Sequence, residues 1–201
     1  MNDGVQAAGE RTRPILTASS ASSSGLLSIT KSASIAGPYR YTLDRGWSTS
    51  RDSTSGGLVT WILLNPSTAD GFTDDPTIRR LIAFSQRWKF ARLRVVNLYA
   101  YRATDPRELR DVADPIGPKN DDAIQASLQI AERVVCAWGA HPTCRRIFPA
   151  ADGVLITRES AVRGMIARSG KPVGVLGLTK DGAPKHPLYL AADTKWSPWQ
   201  P

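Results

Sequence analysis

The stretch VTWILLNPSTAD, residues 59–70, decides the fold. Val59 to Leu64 are mostly apolar without strict alternation, the pattern of a strand buried on both faces, and the run stops at Asn65-Pro66. Three further runs of the same character follow, LRVVNLYAY (93–101), RVVCAW (133–138) and VGVLGL (173–178), each separated by enough chain for a helix. In DDPTIRRLIAFSQRW, Asp75 can cap, Pro76 suits a first helical turn, and Ile78, Leu81, Ile82 and Phe84 share one face. Asn120 or Asp121 is expected to cap a second helix that turns Ala123, Ile124, Ser127, Leu128 and Ala131 inward. RESAVRGMIARSG reads as a third helix closing at Gly170. Strand–helix alternation of this kind predicts an α/β fold: a three-layer α/β/α sandwich around a mainly parallel, four-stranded central sheet.

Composition bounds the rest. With 201 residues and 41% hydrophobic content, the chain suits one domain with a real core and is too short for two of ordinary size. Residues 1–37 are dominated by Ser and Ala, offer little area to bury, and are expected to form a disordered tail ahead of a single domain over 38–201. Lys and Arg exceed Asp and Glu by 26 to 18, a net charge of +8, which favours a polyanionic partner but equally fits a merely basic surface. Cys136 and Cys144 are too few for a four-thiolate iron–sulfur cluster, lack a C-x-x-C spacing, and are expected to stay reduced thiols. No apolar run approaches the ~20 residues of a membrane span, and the N-terminus lacks a signal core. A cytoplasmic monomer without membrane contact, metal or organic cofactor is the expectation.

In an open α/β sheet, ligands bind where strands end at their carboxyl edge. Each expected strand carries special residues toward that edge: Asn65-Pro66 after the first, Asn97 inside the second, Trp138-Gly139-Ala140-His141 after the third, and the loop TKDGAPKHPLYL after the fourth. Any one of these is ordinary turn chemistry; together they predict a shared rim. Arg102, Arg107, Arg110, Lys180 and Lys185 fall in the loops after the second and fourth strands, where phosphates would run. Asp70, Asp74 and Asp75 crowd the loop after the first strand; a divalent metal there is the lesser reading, since capping already accounts for Asp75. No Gly-rich phosphate cradle follows the first strand, and Ser67 has no G-x-S-x-G elbow.

From about Tyr39 to Tyr189 the chain closely resembles a bacterial and phage domain family of unknown function, through RYTLDRGW, LLNPSTAD, DDPTIRR, VVNLYAYRATDP, DPIGPKND, AWG and GLTKDGAPKHPLYL. More distantly it resembles the uracil-DNA glycosylase superfamily. LLNPS is similar to the first motif of the mismatch-specific branch, VVNLYAYRATDPREL to the second strand and its loop, CAWGAH to the third strand's ending, and APKHPL to the last motif. That resemblance implies a DNA glycosylase that excises a modified or mismatched base. Asn65 would hold the attacking water and His186 would donate to the departing base. Asn97 would read the base edge, with Pro66, Trp138 and Gly139 completing the substrate pocket, Leu188 filling the gap in the stack, and Arg102, Arg107, Lys180 and Lys185 following the DNA backbone. Ser67 stands where the uracil-specific branch has an aromatic residue, which leaves room for a bulkier base. The last motif lacks the Ser-Pro that usually precedes the wedge. Two alternatives stay open: a non-catalytic nucleic-acid-binding module of the same fold, and an enzyme of free nucleosides or nucleotides.

Overall fold

The computed structural model describes residues 18–21, 27–49, 56–150 and 153–201. Its centre is the set of four parallel strands that the apolar runs predict: β4 (Leu58–Leu63), β5 (Arg92–Asn97), β6 (Arg133–Cys136) and β9 (Val173–Val175). Every residue of β4 is buried, as a strand with helices on both faces requires. Helix α1 (Pro76–Arg87) begins on Asp75, whose Oδ1 accepts from the Ile78 amide at 2.8 Å, and buries Ile78, Leu81 and Phe84. These pack with Trp61, Leu93 and Val95 on one side of the sheet. On the other side, Ile124 and Leu128 of α2 (Asn120–Ile130) and Val162 and Ile166 of α3 (Arg158–Arg168) pack with Ile62, Val96 and Val134. Helices therefore cover both faces.

Two local expectations change. Neither Asn120 nor Asp121 caps α2; the helix starts after Lys119 without a side-chain cap. The Asn120 amide, fully buried, instead donates to the main-chain carbonyls of Asn97 and Leu98 at 3.1 and 3.0 Å, tying the helix to the end of β5. The sheet is also larger than four strands. Its eight strands run in the order β1-β2-β3-β5-β4-β6-β9-β10, with β1 (Ala18–Ala21), β2 (Leu27–Ala36) and β3 (Tyr39–Thr49) added antiparallel beside β5, and β10 (Ser197–Pro198) added antiparallel to β9. A separate ribbon pairs β7 (Ile147–Pro149) with β8 (Leu155–Thr157).

The expected tail is corrected at residues 18–21 and 27–36, which form strands; residues 1–17 and 22–26 of that tail lie outside the described residues. Backbone hydrogen bonding to β3 orders a Ser-rich segment that its own side chains could not. The turn between the strands is Gly37-Pro38, with Gly37 at φ 55°. The pairing slips by one residue at Tyr41: Ser34 faces Thr42, yet Ile35 faces Arg40. Such a bulge moves the following side chain to the other face, and it brings Arg40 onto the same face as Arg45. Both reach the loop after β4. Arg40 Nη1 donates to the Ala69 carbonyl at 2.6 Å; Arg45 Nε meets Asp74 at 2.6 Å, and its Nη2 donates to the Asp70 carbonyl at 2.7 Å.

Arg45 has no exposed side-chain area, so removing its charge leaves the Asp74 carboxylate short of a buried partner. Replacing Arg45 by Met is expected to lower folding stability by about 3 kcal/mol, read from urea unfolding; a loss below about 1 kcal/mol would mean the contact behaves like a surface pair.

Candidate functional site

The chain leaves β4 through α1 to reach β5 on one side, and returns through α2 to reach β6 on the other. Connections depart to opposite faces between β4 and β6, and this opens a crevice at their carboxyl ends. A cavity of about 550 Å³ lies there. It is bounded by Leu63 to Asn65 at the end of β4, by Trp138 to His141 after β6, by Asp75, Thr77 and Ile78 at the start of α1, and by His186, Leu188 and Tyr189.

Six of the expected site residues meet in this lining: Asn65, Ser67, Trp138, Gly139, His186 and Leu188. Asn65 answers the question of why a buried strand should end on an amide. Its Nδ2 donates to the Ala103 carbonyl at 2.7 Å and to the Pro66 carbonyl at 3.0 Å. With both amide hydrogens committed to acceptors, the orientation of the side chain is fixed, and Oδ1 is left as an acceptor without a partner among the described residues. Gly139 sits at φ 79°, in the left-handed region, and its N–H donates to the Pro184 carbonyl at 2.8 Å; this turn carries the end of β6 across to the His186 loop. A Cβ at Gly139 would stand 3.6 Å from that of His186. Trp138 borders the cavity, but its indole belongs to the core: it is 1% exposed, donates to Glu159 at 3.2 Å and packs edge-on to Trp199.

The other expected residues lie elsewhere. Pro66 is buried, and its carbonyl accepts from the Ala103 amide. Asn97 does not line the cavity. It is still inside the ladder, paired with Leu63 and so two residues below the level of Asn65. It is fully buried, and neither Oδ1 nor Nδ2 has a partner among the described residues. Arg102, Arg107, Lys180 and Lys185 are also outside the lining. Arg107 is exposed and paired with Asp105 at 2.6 Å, and Lys180 and Lys185 are exposed in the last loop. The three acidic residues after β4 have structural work: Asp70 accepts from the amides of Phe72 and Thr73, Asp74 holds Lys31 and Arg45, and Asp75 caps α1.

The structure adds Tyr189 and Arg40 to the site and puts His141, expected at the rim, in the lining. Tyr189, 89% exposed, stands beside the cavity where Leu188 is half-buried, so Tyr189 presents the larger free apolar surface. Arg40, 2% exposed, enters the lining from β3. His141 joins His186, so both histidines of the chain border one cavity. Each precedes a proline and caps the short helical turn that follows. Nδ1 of His141 accepts from the Thr143 amide at 3.3 Å, and Nδ1 of His186 from the Leu188 amide at 3.4 Å. Accepting at Nδ1 leaves the neutral His186 ring's proton on Nε2; Nδ1 of His141 also lies 2.7 Å from the Thr143 hydroxyl, and with that hydroxyl donating alongside the Thr143 amide its proton likewise sits on Nε2. The repeated His-Pro dipeptide was the signal in the sequence for this pair.

Burial lowers the pKa of both rings from their ordinary value of 6.5; the Asp75 charge partly offsets this at His186, while Arg110 adds to it at His141. Histidines kept neutral on folding bind protons less readily than in the unfolded chain. Their contribution is therefore complete above pH 6.5 and is lost as the pH falls from there through their folded values. The melting temperature is expected to decline below pH 6.5, ahead of the carboxylate range, and the His186→Gln variant should show a shallower decline. An unchanged slope would contradict a buried neutral His186.

No curated protein matches the chain. Residues 40–188 match the family described as protein of unknown function DUF1643. That match spans the four parallel strands, the loop after β4 and both His-Pro dipeptides, and the chain belongs to the DUF1643 family.

Proposed function

We propose that the cavity is the active site of a nucleobase-excising N-glycosyl hydrolase acting on DNA, with a modified or mismatched base as its target. The observation that carries the proposal is the meeting of Asn65 and His186, 121 positions apart in sequence by subtraction of their numbers, in one cavity, each held by main-chain contacts in a defined hydrogen-bonding sense. Hydrolysis breaks the bond between the sugar carbon and the base nitrogen, delivers a water oxygen to that carbon and sends the bonding pair to the base. Such a site needs an acceptor to orient water and a donor facing the departing base. Asn65 Oδ1 supplies the first and the Nε2–H of His186 the second.

Asn65 is too weak a base to take the water's proton. Asp75 is the carboxylate in the same lining and uses Oδ1 to cap α1, so its other oxygen is the candidate for that task. Ser67 keeps one wall small, in line with a bulky base. Tyr189 offers an aromatic face at which a neighbouring base could stack. A free nucleoside or nucleotide is the second reading, supported by Arg102, Arg107, Lys180 and Lys185 all lying outside the cavity lining.

The test is single-turnover base release from a panel of DNAs carrying altered bases. The wild type is expected to release at least one of them, and Asn65→Ala and His186→Ala to slow that release by about 10²-fold while leaving DNA affinity near its original value. No release from any substrate, or equal release by both variants, would contradict the proposal.

A further inference from the structure

The base-excision reading gives Arg40 no part in binding the ligand. Arg40 is 2% exposed, forms no ion pair among the described residues, and commits only Nη1, to the Ala69 carbonyl at 2.6 Å. Its Nε is buried without a partner. Guanidinium groups are rarely buried unpaired, because desolvating the charge is costly unless an anion or a full set of acceptors replaces water. The bulge at Tyr41 delivers this arginine to the cavity face, where it shares the lining with the Nε2–H donors of His141 and His186 and with Thr77 in the first turn of α1.

We propose that the cavity binds a terminal oxyanion of its ligand, a phosphate monoester or a carboxylate, against Arg40. A guanidinium presents paired N–H groups that match the two oxygens of such a group. The depth of Arg40 favours a terminal group over the phosphodiester of a continuous strand, which would cross the rim. Asp75 is the acidic residue in the same lining. It would repel a polyphosphate and so limits the ligand to a single anionic group, and about 550 Å³ suits one nucleotide-sized molecule. Burial pushes the Arg40 pKa down to about 10; Asp75 works against that shift, and Arg102 and Arg45 add to it. The group stays cationic at neutral pH.

The anion site does not depend on base release and is read without turnover. Calorimetric titration of the full chain would compare deoxynucleoside 5′-monophosphates with their nucleosides, and pyrimidine nucleosides bearing a ring carboxylate with their methyl counterparts, at constant ionic strength. At least a tenfold gain in affinity is expected in one of the two series, and the series that gains identifies which oxyanion the site takes. Arg40→Gln should abolish the difference in affinity between the charged and neutral members of that series, and Arg40→Lys should retain part of it. No gain in either series, or a gain that survives Arg40→Gln, would overturn the proposal. Should Arg40→Gln fail to fold, the wild type alone decides: inorganic phosphate must raise the melting temperature relative to chloride at equal ionic strength, and the absence of a rise overturns the proposal. Anion binding without base release would reject the excision reading and leave this site standing.

Discussion

The buried contact of Arg45 with Asp74 is the constraint on which the site depends. A parallel strand that ends at Leu63 must hand its chain to α1 across a dozen residues, and such a segment has no ladder of its own to hold it. Arg45 supplies the hold. Its guanidinium spans the Asp74 carboxylate and the carbonyls of Asp70 and Thr73, while Arg40, one bulge away on the same strand, takes the Ala69 carbonyl. Asp74 in turn receives Lys31 from β2 at 2.7 Å. The antiparallel hairpin thus works as a bracket: it fixes the loop that forms one wall of the cavity and sets Asp75 where α1 begins. The opposite wall is held from the other side, where Arg80 of α1 donates to the Leu190 carbonyl just beyond the His186 turn.

Seen in these terms, the legible and illegible parts of the sequence separate by physical cause. The four parallel strands could be read because burial on both faces forces continuous apolar runs, and α1 because Asp75-Pro76 announces its start. The hairpin strand β2 was hidden by composition. LSITKSASIA does alternate, with Ile29, Ala33 and Ile35 interleaved by Ser and Thr, but of these only Ala33 is fully buried, so its ordering comes from backbone pairing with β3. Asn65 was legible as a residue just past a strand end, and His186 as part of the loop that follows the last parallel strand. Asn97 falls inside the second apolar run of the sequence and is the last residue of β5, but its register puts it level with Leu63, where its side chain does not line the cavity. Arg40 could not have been picked, because nothing in RYTLDRGW distinguishes a cavity arginine from a solvated one until the bulge is known.

The polar groups that line the resulting cavity are held by the main chain. Two histidines act as main-chain caps through Nδ1, so their tautomers are set by backbone geometry rather than by ligand. The asparagine is held by two carbonyls, and the arginine is immobilised by one. Polar groups oriented in this way before a ligand arrives lose little freedom when it binds, which is the arrangement that favours both selective recognition and stabilisation of developing charge. Membership of DUF1643 covers this whole assembly from Arg40 to Leu188.

The central claim is that His141 and His186 present Nε2–H donors to one ligand. The direct measurement is nitrogen-15 NMR of the histidine rings at pH 7.5, before and after adding a deoxynucleoside 5′-monophosphate. The account predicts that both rings are neutral with the proton on Nε2, and that both Nε2 resonances shift together as ligand is added. A ring carrying its proton on Nδ1, or ligand that perturbs one histidine and leaves the other unchanged, would contradict it.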